Sequence, residues 1–191
     1  LAGDGFTVAN DAIVERRGRD VTTLVPVSAV KVPGRHILSD VVAATAISRT
    51  AGATGEAMTQ AISAFPGLEH AMEVVATVDG VRFVNDSKAT NVESARRSIE
   101  SVGPGVVAIV GGRYKGGEFA DLVPPLVERG GSVVAIGEAA ERVERAMVPT
   151  VVVTRAASMG DAVRAGFARA SPGATVVLAS SAASERLQSA T

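Results

Sequence analysis

The chain has no cysteine and no tryptophan, a single tyrosine and two histidines, and aromatic residues make up only 3% of its 191 positions. Without cysteine there is no disulfide framework and no thiolate metal site, and His36 and His70 are too few for a histidine-based metal cluster. That inventory fits a reducing compartment, and the cytoplasm is the expected location. An excess of one charge is missing as well: 19 Lys plus Arg stand against 20 Asp plus Glu. Such a balance creates no net field to hold nucleic acid or an anionic membrane, so neither is expected as a partner. Long apolar runs are absent too. Residues 106–110 and 133–136 fall far short of the ~20 needed to cross a bilayer, and no basic, apolar, small-residue signal opens the chain.

What is present is apolar. A hydrophobic content of 47% can fill a good core, and the length allows one large or two small domains. Residues 5–25 contain three short β-rich runs broken at Asn10-Asp11 and at Arg17-Gly18-Arg19-Asp20, which predicts an antiparallel meander. Ile37, Val41, Ala44, Ile47 and Ala51 recur at helical spacing, predicting a helix over 37–51 that Gly52 stops. A second helix, capped by Thr54, carries Ala57, Met58, Ala61, Ile62 and Phe65 on one face and ends at Pro66-Gly67. The domain boundary is placed there, giving domains 1–66 and 67–191.

Past the boundary, strands alternate with helices, the pattern of a parallel sheet covered on both faces. Residues 73–78 and 81–85 are expected to pair as a hairpin around Asp79-Gly80, ahead of buried strands at 106–110, 133–136, 150–153 and 175–179. Helices are expected over 92–101, 119–128, 139–147 and 159–170. The expected class is α/β: a Rossmann-like, mostly parallel C-terminal sheet with helices on both faces, preceded by a partial domain of short strands and two helices. Ligands gather at the carboxyl ends of strands in such sheets, which singles out the loops at Asp86, Gly111, Gly137 and Ser180.

The densest of these loops is Asn85-Asp86-Ser87-Lys88-Ala89-Thr90-Asn91. A carboxylate, an ammonium, two hydroxyls and a helix N-terminus suit a phosphate or carboxylate guest. The same residues also make a capped helix start, with Thr90 or Asn91 as N-cap, and residue chemistry alone favours the cap. The loop Gly111-Gly112-Arg113-Tyr114-Lys115-Gly116-Gly117 pairs glycines that tolerate positive φ with an ammonium, and equally describes a plain turn with a solvated lysine. Two motifs are missing. No G-x-x-x-x-G-K-[ST] loop occurs to cradle the β and γ phosphates of a nucleotide. The one G-x-G-x-x-A match, residues 103–108, precedes its strand instead of following it, which counts against a dinucleotide-binding oxidoreductase domain.

The heptapeptide NDSKATN, the GGRYKGG loop, FPGLEH ahead of the hairpin and GRHILSDVVAA before it resemble, in order and spacing, the Mur ligase family, nearest to its D-glutamate-adding branch. The resemblance runs from Gly34 to Ser184. It implies that residues 1–66 are the tail of a central ATP-binding domain and 67–191 the C-terminal ligase domain. It further implies a ligase of peptidoglycan synthesis, serving cell shape and division, that uses ATP with Mg2+. In the implied reaction a UDP-muramoyl-peptide carboxylate becomes an acyl phosphate, the D-glutamate amine attacks it, and ADP and phosphate leave. Thr90, Lys115 and Ser184 match contacts to D-glutamate, and Asp86, Lys88, His36 and Asp40 match the nucleotide side. No residue is assigned as catalytic or as a metal ligand.

The chain also departs from the family pattern. His36-Ile37-Leu38-Ser39-Asp40 stands where His-Asn-x-x-Asn is usual, and His70-Ala71 where His-Arg is usual. Ile37 makes no side-chain hydrogen bond, Asp40 repels phosphate, and Ala71 lacks a guanidinium. The aromatic residue that usually follows the serine run is replaced by Glu185-Arg186-Leu187. With Leu1 in place of Met and no phosphate loop, an N-terminal part of the same protein is expected to be missing, and the chain alone is expected to be inactive. The alternative is a degenerate, noncatalytic ligase-like binding module.

Overall fold

The computed structural model describes residues 3–32, 34–113 and 116–179, with Arg35 and His36 as backbone only. It divides into two compact units, Leu1–Gly67 and Leu68–Thr191.

In the first unit the turn clusters reverse the chain as their chemistry dictates. Asn10 and Asp11 take positive φ between β1 (Gly5–Ala9) and β2 (Ala12–Arg17), and Gly18 does so before β3 (Asp20–Pro26). The three strands form an antiparallel sheet in the order β1-β2-β3. Helices α1 (Arg35–Thr50) and α2 (Gly55–Ala64) follow, and the Thr54 hydroxyl caps α2 by accepting from the Ala57 N–H at 3.2 Å. Ile13, Leu24, Val25, Ala29 and Met58 make the core, with Val41, Val42 and Ile62 of the helices at its margin. Glu15 is buried beside them, and its two oxygens are met by Arg17 at 2.6 Å and by Arg49 of α1 at 3.0 Å. A carboxylate can be buried there because both of its oxygens are paired.

The second unit runs β4 (Glu73–Val78), β5 (Val81–Asn85), α3 (Val92–Glu100), β6 (Val107–Gly111), α4 (Val123–Glu128), β7 (Ser132–Ile136), α5 (Ala140–Met147), β8 (Val153–Ala156), α6 (Met159–Arg169) and β9 (Thr175–Leu178). The sheet order is β4-β5-β9-β6-β7-β8, with β4 antiparallel at one edge and every other pair parallel. Successive strand residues face opposite ways. Ala108, Val110, Val133, Ala135 and Val177 therefore meet Ala95 and Ile99 of α3, Leu126 of α4 and Val143 and Met147 of α5. Val107, Ile109, Val134 and Val176 meet α6 at Ala162, and Phe167 of α6 lies against Phe83 of β5 with ring centroids 5.9 Å apart. The class is the expected one, a mostly parallel α/β sheet with helices on both faces and a small antiparallel sheet ahead of it.

Two expected elements differ. The helix over 119–128 is split into a 3-10 turn, Phe119–Leu122, and α4, whose first positions hold Pro124 and Pro125. Proline lacks an N–H, so it fits the first turn of a new helix better than the middle of a longer one. The strand expected at 150–153 lies at Val153–Ala156. The Val151 N–H donates back to the Met147 carbonyl at 2.9 Å, which keeps that residue in the exit from α5 and out of the ladder. Among the described residues no helix is long and apolar enough to cross a membrane.

Candidate functional site

Because β9 inserts between β5 and β6, the carboxyl ends of three parallel strands stand side by side. Asn85 pairs with Leu178, and Leu178 pairs in turn with Ile109. The ladder continues one step beyond the strands, through Asp86 N–H to the Leu178 carbonyl and Ala179 N–H to the Ile109 carbonyl, both at 3.0 Å. The loop carrying residues 86–91 and the glycine loop after β6 therefore leave the same edge of the sheet, the edge where open α/β sheets hold ligands.

The first loop is built around an inward-facing acid. Asp86 is 7% exposed; one carboxylate oxygen accepts from the Met72 N–H at 3.0 Å and the other from the Ser98 hydroxyl of α3. Its carbonyl accepts from the Ala89 N–H at 2.9 Å, closing a tight turn. Lys88 and Thr90 are exposed on that turn while Ala89 between them is buried. Asn91 takes the N-cap, its side-chain oxygen accepting from the Ser94 N–H at 2.8 Å. Glu93 in the first turn of α3 is bound along its own helix by Arg96 and Arg97, whose guanidinium groups hold its carboxyl down at about 2.

Residues 68–72 pack along this loop. His70 and Met72 both have positive φ, 65° and 49°, a conformation costing a non-glycine residue about 1–2 kcal/mol. Cross-loop bonds hold them there: Lys88 N–H to the His70 carbonyl at 3.1 Å, the Asn85 amide to His70 Nδ1 at 2.9 Å, and Met72 N–H to Asp86. His70 is thus a loop clasp, and Ala71 beside it donates its N–H to the Leu68 carbonyl.

The glycine loop needs its glycines for space as well as for φ. A Cβ on Gly111 would lie 1.9 Å from the Ile136 carbonyl oxygen, and one on Gly117 would lie 3.0 Å from Val92 Cγ2. Gly117 therefore rests against the first residue of α3, two positions beyond Thr90. Gly112 binds the end of β7 through its N–H to the Ile136 carbonyl at 3.0 Å.

Of the expected site residues, Asp86, Lys88 and Thr90 share one loop, with Asp86 turned inward and the other two outward. Asp40 is exposed on α1, and His36 belongs to the same helix, Arg35–Thr50, by its backbone. Lys115 and Ser184 lie outside the described residues, as does the His36 side chain. Sequence reasoning missed Ser98. Its signal was a hydroxyl on the helix face that also carries Val92, Ala95 and Ile99, where a polar group needs a partner. Elsewhere, a hollow of about 450 Å³ between α5 and β8 is lined by Glu141, Glu144, Arg145, Val148 and Arg155. Its charges pair with one another, Arg145 with Glu141 and Arg155 with Glu144, both at 2.5 Å.

Fold and loops together define a doubly wound α/β domain with its polar loops gathered at one sheet edge. The chain belongs to the Mur ligase family: the family described as Mur ligase, glutamate ligase domain, matches residues 70–182. Relatives named UDP-N-acetylmuramoylalanine–D-glutamate ligase are similar along most of the chain. The one from Acidobacterium capsulatum is 37% identical over 177 residues, covering 92% of this chain and 38% of the relative. The one from Methylococcus capsulatus is 38% identical over 161 residues, covering 84% and 35%. The chain thus spans about two-fifths of the length of these relatives. Among solved structures, the MurF ligase from Thermotoga maritima in complex with ADP superposes with a TM-score of 0.65 at 16% identity, covering 96% of this chain and 43% of that one. A bifunctional folylpolyglutamate synthase/dihydrofolate synthase with Mn, AMPPNP and L-glutamate bound gives 0.65 at 19% identity, covering 97% and 45%. At such identities the likeness is one of fold.

Proposed function

We propose that this chain is the C-terminal part of an ATP-dependent ligase that adds D-glutamate to UDP-N-acetylmuramoyl-L-alanine in cytoplasmic peptidoglycan synthesis. Residues 1–66 are then the tail of its central ATP-binding domain and 67–191 its C-terminal ligase domain, joined in the complete protein to an N-terminal part. The observation that carries this reading is the packing of Gly117 against Val92, which sets the glycine loop beside the loop of Lys88 and Thr90.

The chemistry follows from the residue types those loops carry. D-glutamate is a dicarboxylate at neutral pH and needs hydroxyl and ammonium partners, the groups that Thr90, Lys115 and Ser184 provide. Lys88 is exposed just ahead of the N-terminus of α3 and suits an anionic group of the nucleotide. Asp86 fits the nucleotide less well, since both its oxygens are engaged by Met72 and Ser98. His36 and Asp40 are the nucleotide-side residues of the first unit. Mg2+ accompanies ATP in this reading and supplies charge neutralisation; among the described residues no group of three or more His, Asp or Glu could hold a metal. Catalysis by these residues rests on positioning, holding the amine and its acceptor in line.

The test is ADP release by the complete reading frame. The expected result is release that requires both UDP-N-acetylmuramoyl-L-alanine and D-glutamate, and release independent of the amino acid overturns the D-glutamate assignment. The second reading, a noncatalytic ligase-like binding module, is favoured by Ile37, Ala71 and the engaged Asp86. It predicts calorimetric binding of the sugar nucleotide or amino acid with no ADP formed.

A further inference from the structure

We propose that Gly137, in the turn between β7 and α5, is a positioning residue for the amino-acid loop: its missing side chain lets Gly112 lie against it and fixes the stem of the loop that carries Lys115. What Lys115 binds rests on the ligase reading; how the stem is held is a matter of geometry within the second unit.

Of the four strand-end loops, the one at Gly137 carries none of the residues assigned to nucleotide or amino acid. Gly112 is nevertheless bonded to that turn through both of its main-chain groups. Its N–H donates to the Ile136 carbonyl and its carbonyl accepts from the Ala139 N–H, both at 3.0 Å. Ala139 is the N-cap of α5 and offers no side-chain acceptor, so the Gly112 carbonyl meets a donor at an uncapped helix start.

Gly137 lies between these two partners with φ 73°. A Cβ there would stand 3.1 Å from Gly112 Cα and 3.2 Å from Gly112 N, so Gly112 would have to shift to admit it. Backbones approach this closely only where one residue has no side chain. Past Lys115, Gly117 rests on Val92, so the lysine is bracketed by a contact three positions before it and another two positions after it. An ammonium meets a substrate carboxylate in one geometry only if the stems of its loop stay in place.

Gly130 supplies the control. It too has positive φ, 57°, but a Cβ on it meets nothing within 4 Å. Gly130→Ala therefore carries a similar left-handed backbone cost without pushing on a neighbour. Loss of stability is common to both variants, and a change at the amino-acid site belongs to Gly137→Ala alone.

Hydrogen exchange on the 191-residue chain reads the contact, and steady-state kinetics on the complete reading frame read its consequence. In the wild type the Gly112 and Ala139 amides are expected to exchange about a hundredfold or more below free-chain rates, and in Gly137→Ala about tenfold faster than in Gly130→Ala. Gly137→Ala raises KM for the amino acid about fivefold and leaves KM for ATP within about twofold, while Gly130→Ala leaves both within about twofold. Free-chain exchange at Gly112 and Ala139 in the wild type overturns the proposal. So does an amino-acid KM that is unchanged in Gly137→Ala, or raised equally in Gly130→Ala. Should Gly137→Ala not fold, Gly137→Asn, which bears the same Cβ on a residue that tolerates left-handed φ, takes its place under the same criteria, with the wild-type exchange deciding if neither folds. A wild-type reading frame that forms no ADP removes the ligase reading, and with it the loop's role, and leaves the exchange result on the contact standing.

Discussion

The imidazole of His70 and the side-chain amide of Asn85 meet with Nδ1 and Nδ2 2.9 Å apart, and Asn85 Oδ1 accepts from the Ser87 N–H at 3.1 Å. The Ser87 bond fixes which way the amide points. Its nitrogen, which only donates, must face the ring, so His70 Nδ1 is the acceptor and the ring proton of the neutral form sits on Nε2. Glu69 Oε1 is 3.5 Å from Nε2 on the far side. Two-bond 15N–1H spectra at a pH where the ring is neutral are expected to show the Nε2-protonated tautomer. An Nδ1-protonated ring would mean that the clasp between the two loops is not formed as described.

Gly111→Ala places a methyl group within 1.9 Å of the Ile136 carbonyl oxygen, at a backbone φ of 142°. The clash is with strand backbone, which cannot move aside without breaking the β6–β7 ladder. A loss of about 3 kcal/mol or more is expected in chemical denaturation. Unchanged stability would show that β6 ends differently.

Helix α3 starts at Asn91, and removing its cap by Asn91→Ala is expected to cost about 1 kcal/mol in denaturant unfolding, with Asn91→Asp close to wild type. Thr90 next to it makes no such contribution to the helix. In the complete reading frame Thr90→Ala should change the D-glutamate dependence while leaving the stability of this chain nearly untouched.

Lys115→Ala in the complete reading frame is expected to raise KM for D-glutamate or lower kcat by about 10-fold or more, as loss of a charge-assisted contact does. A D-glutamate dependence equal to wild type removes Lys115 from the site.

The Arg17 and Arg49 guanidinium groups, bonded to Glu15 at 2.6 and 3.0 Å, hold its carboxyl below the ordinary glutamate value. A folded-state value below the unfolded one adds stability that is fully present above the unfolded value of about 4.3 and is lost as pH falls through the lower, folded one. Thermal melts of the first unit's signals should therefore drop in acid for the wild type. Glu15→Gln should melt lower at neutral pH and show a shallower acid drop; parallel curves would mean that the pairing does not stabilise the fold.

Much of the architecture was legible in the chain because it follows from local rules. The turn clusters, the Thr54 cap, the alternation of apolar strands with amphipathic helices and the family motifs all rest on neighbours a few residues apart. Even the errors were local: prolines 124 and 125 divide one helix, and the Val151 N–H is spent on the end of α5. The direction of the Asp86 side chain could not be read in this way. In sequence it belongs to a polar, ligand-like cluster, and its inward turn depends on Met72 and Ser98, fourteen and twelve positions away.

The amino-acid sequence by itself thus determined the α/β class, the family and the polar chemistry of the strand-end loops, since periodicity, turn chemistry and motif spacing are properties of the chain. Only the tertiary structure decided the order β5-β9-β6 that gathers those loops, and which of their polar groups face inward. Strand pairing and burial are set by packing between distant segments, and a buried donor or acceptor takes whatever partner that packing brings within reach.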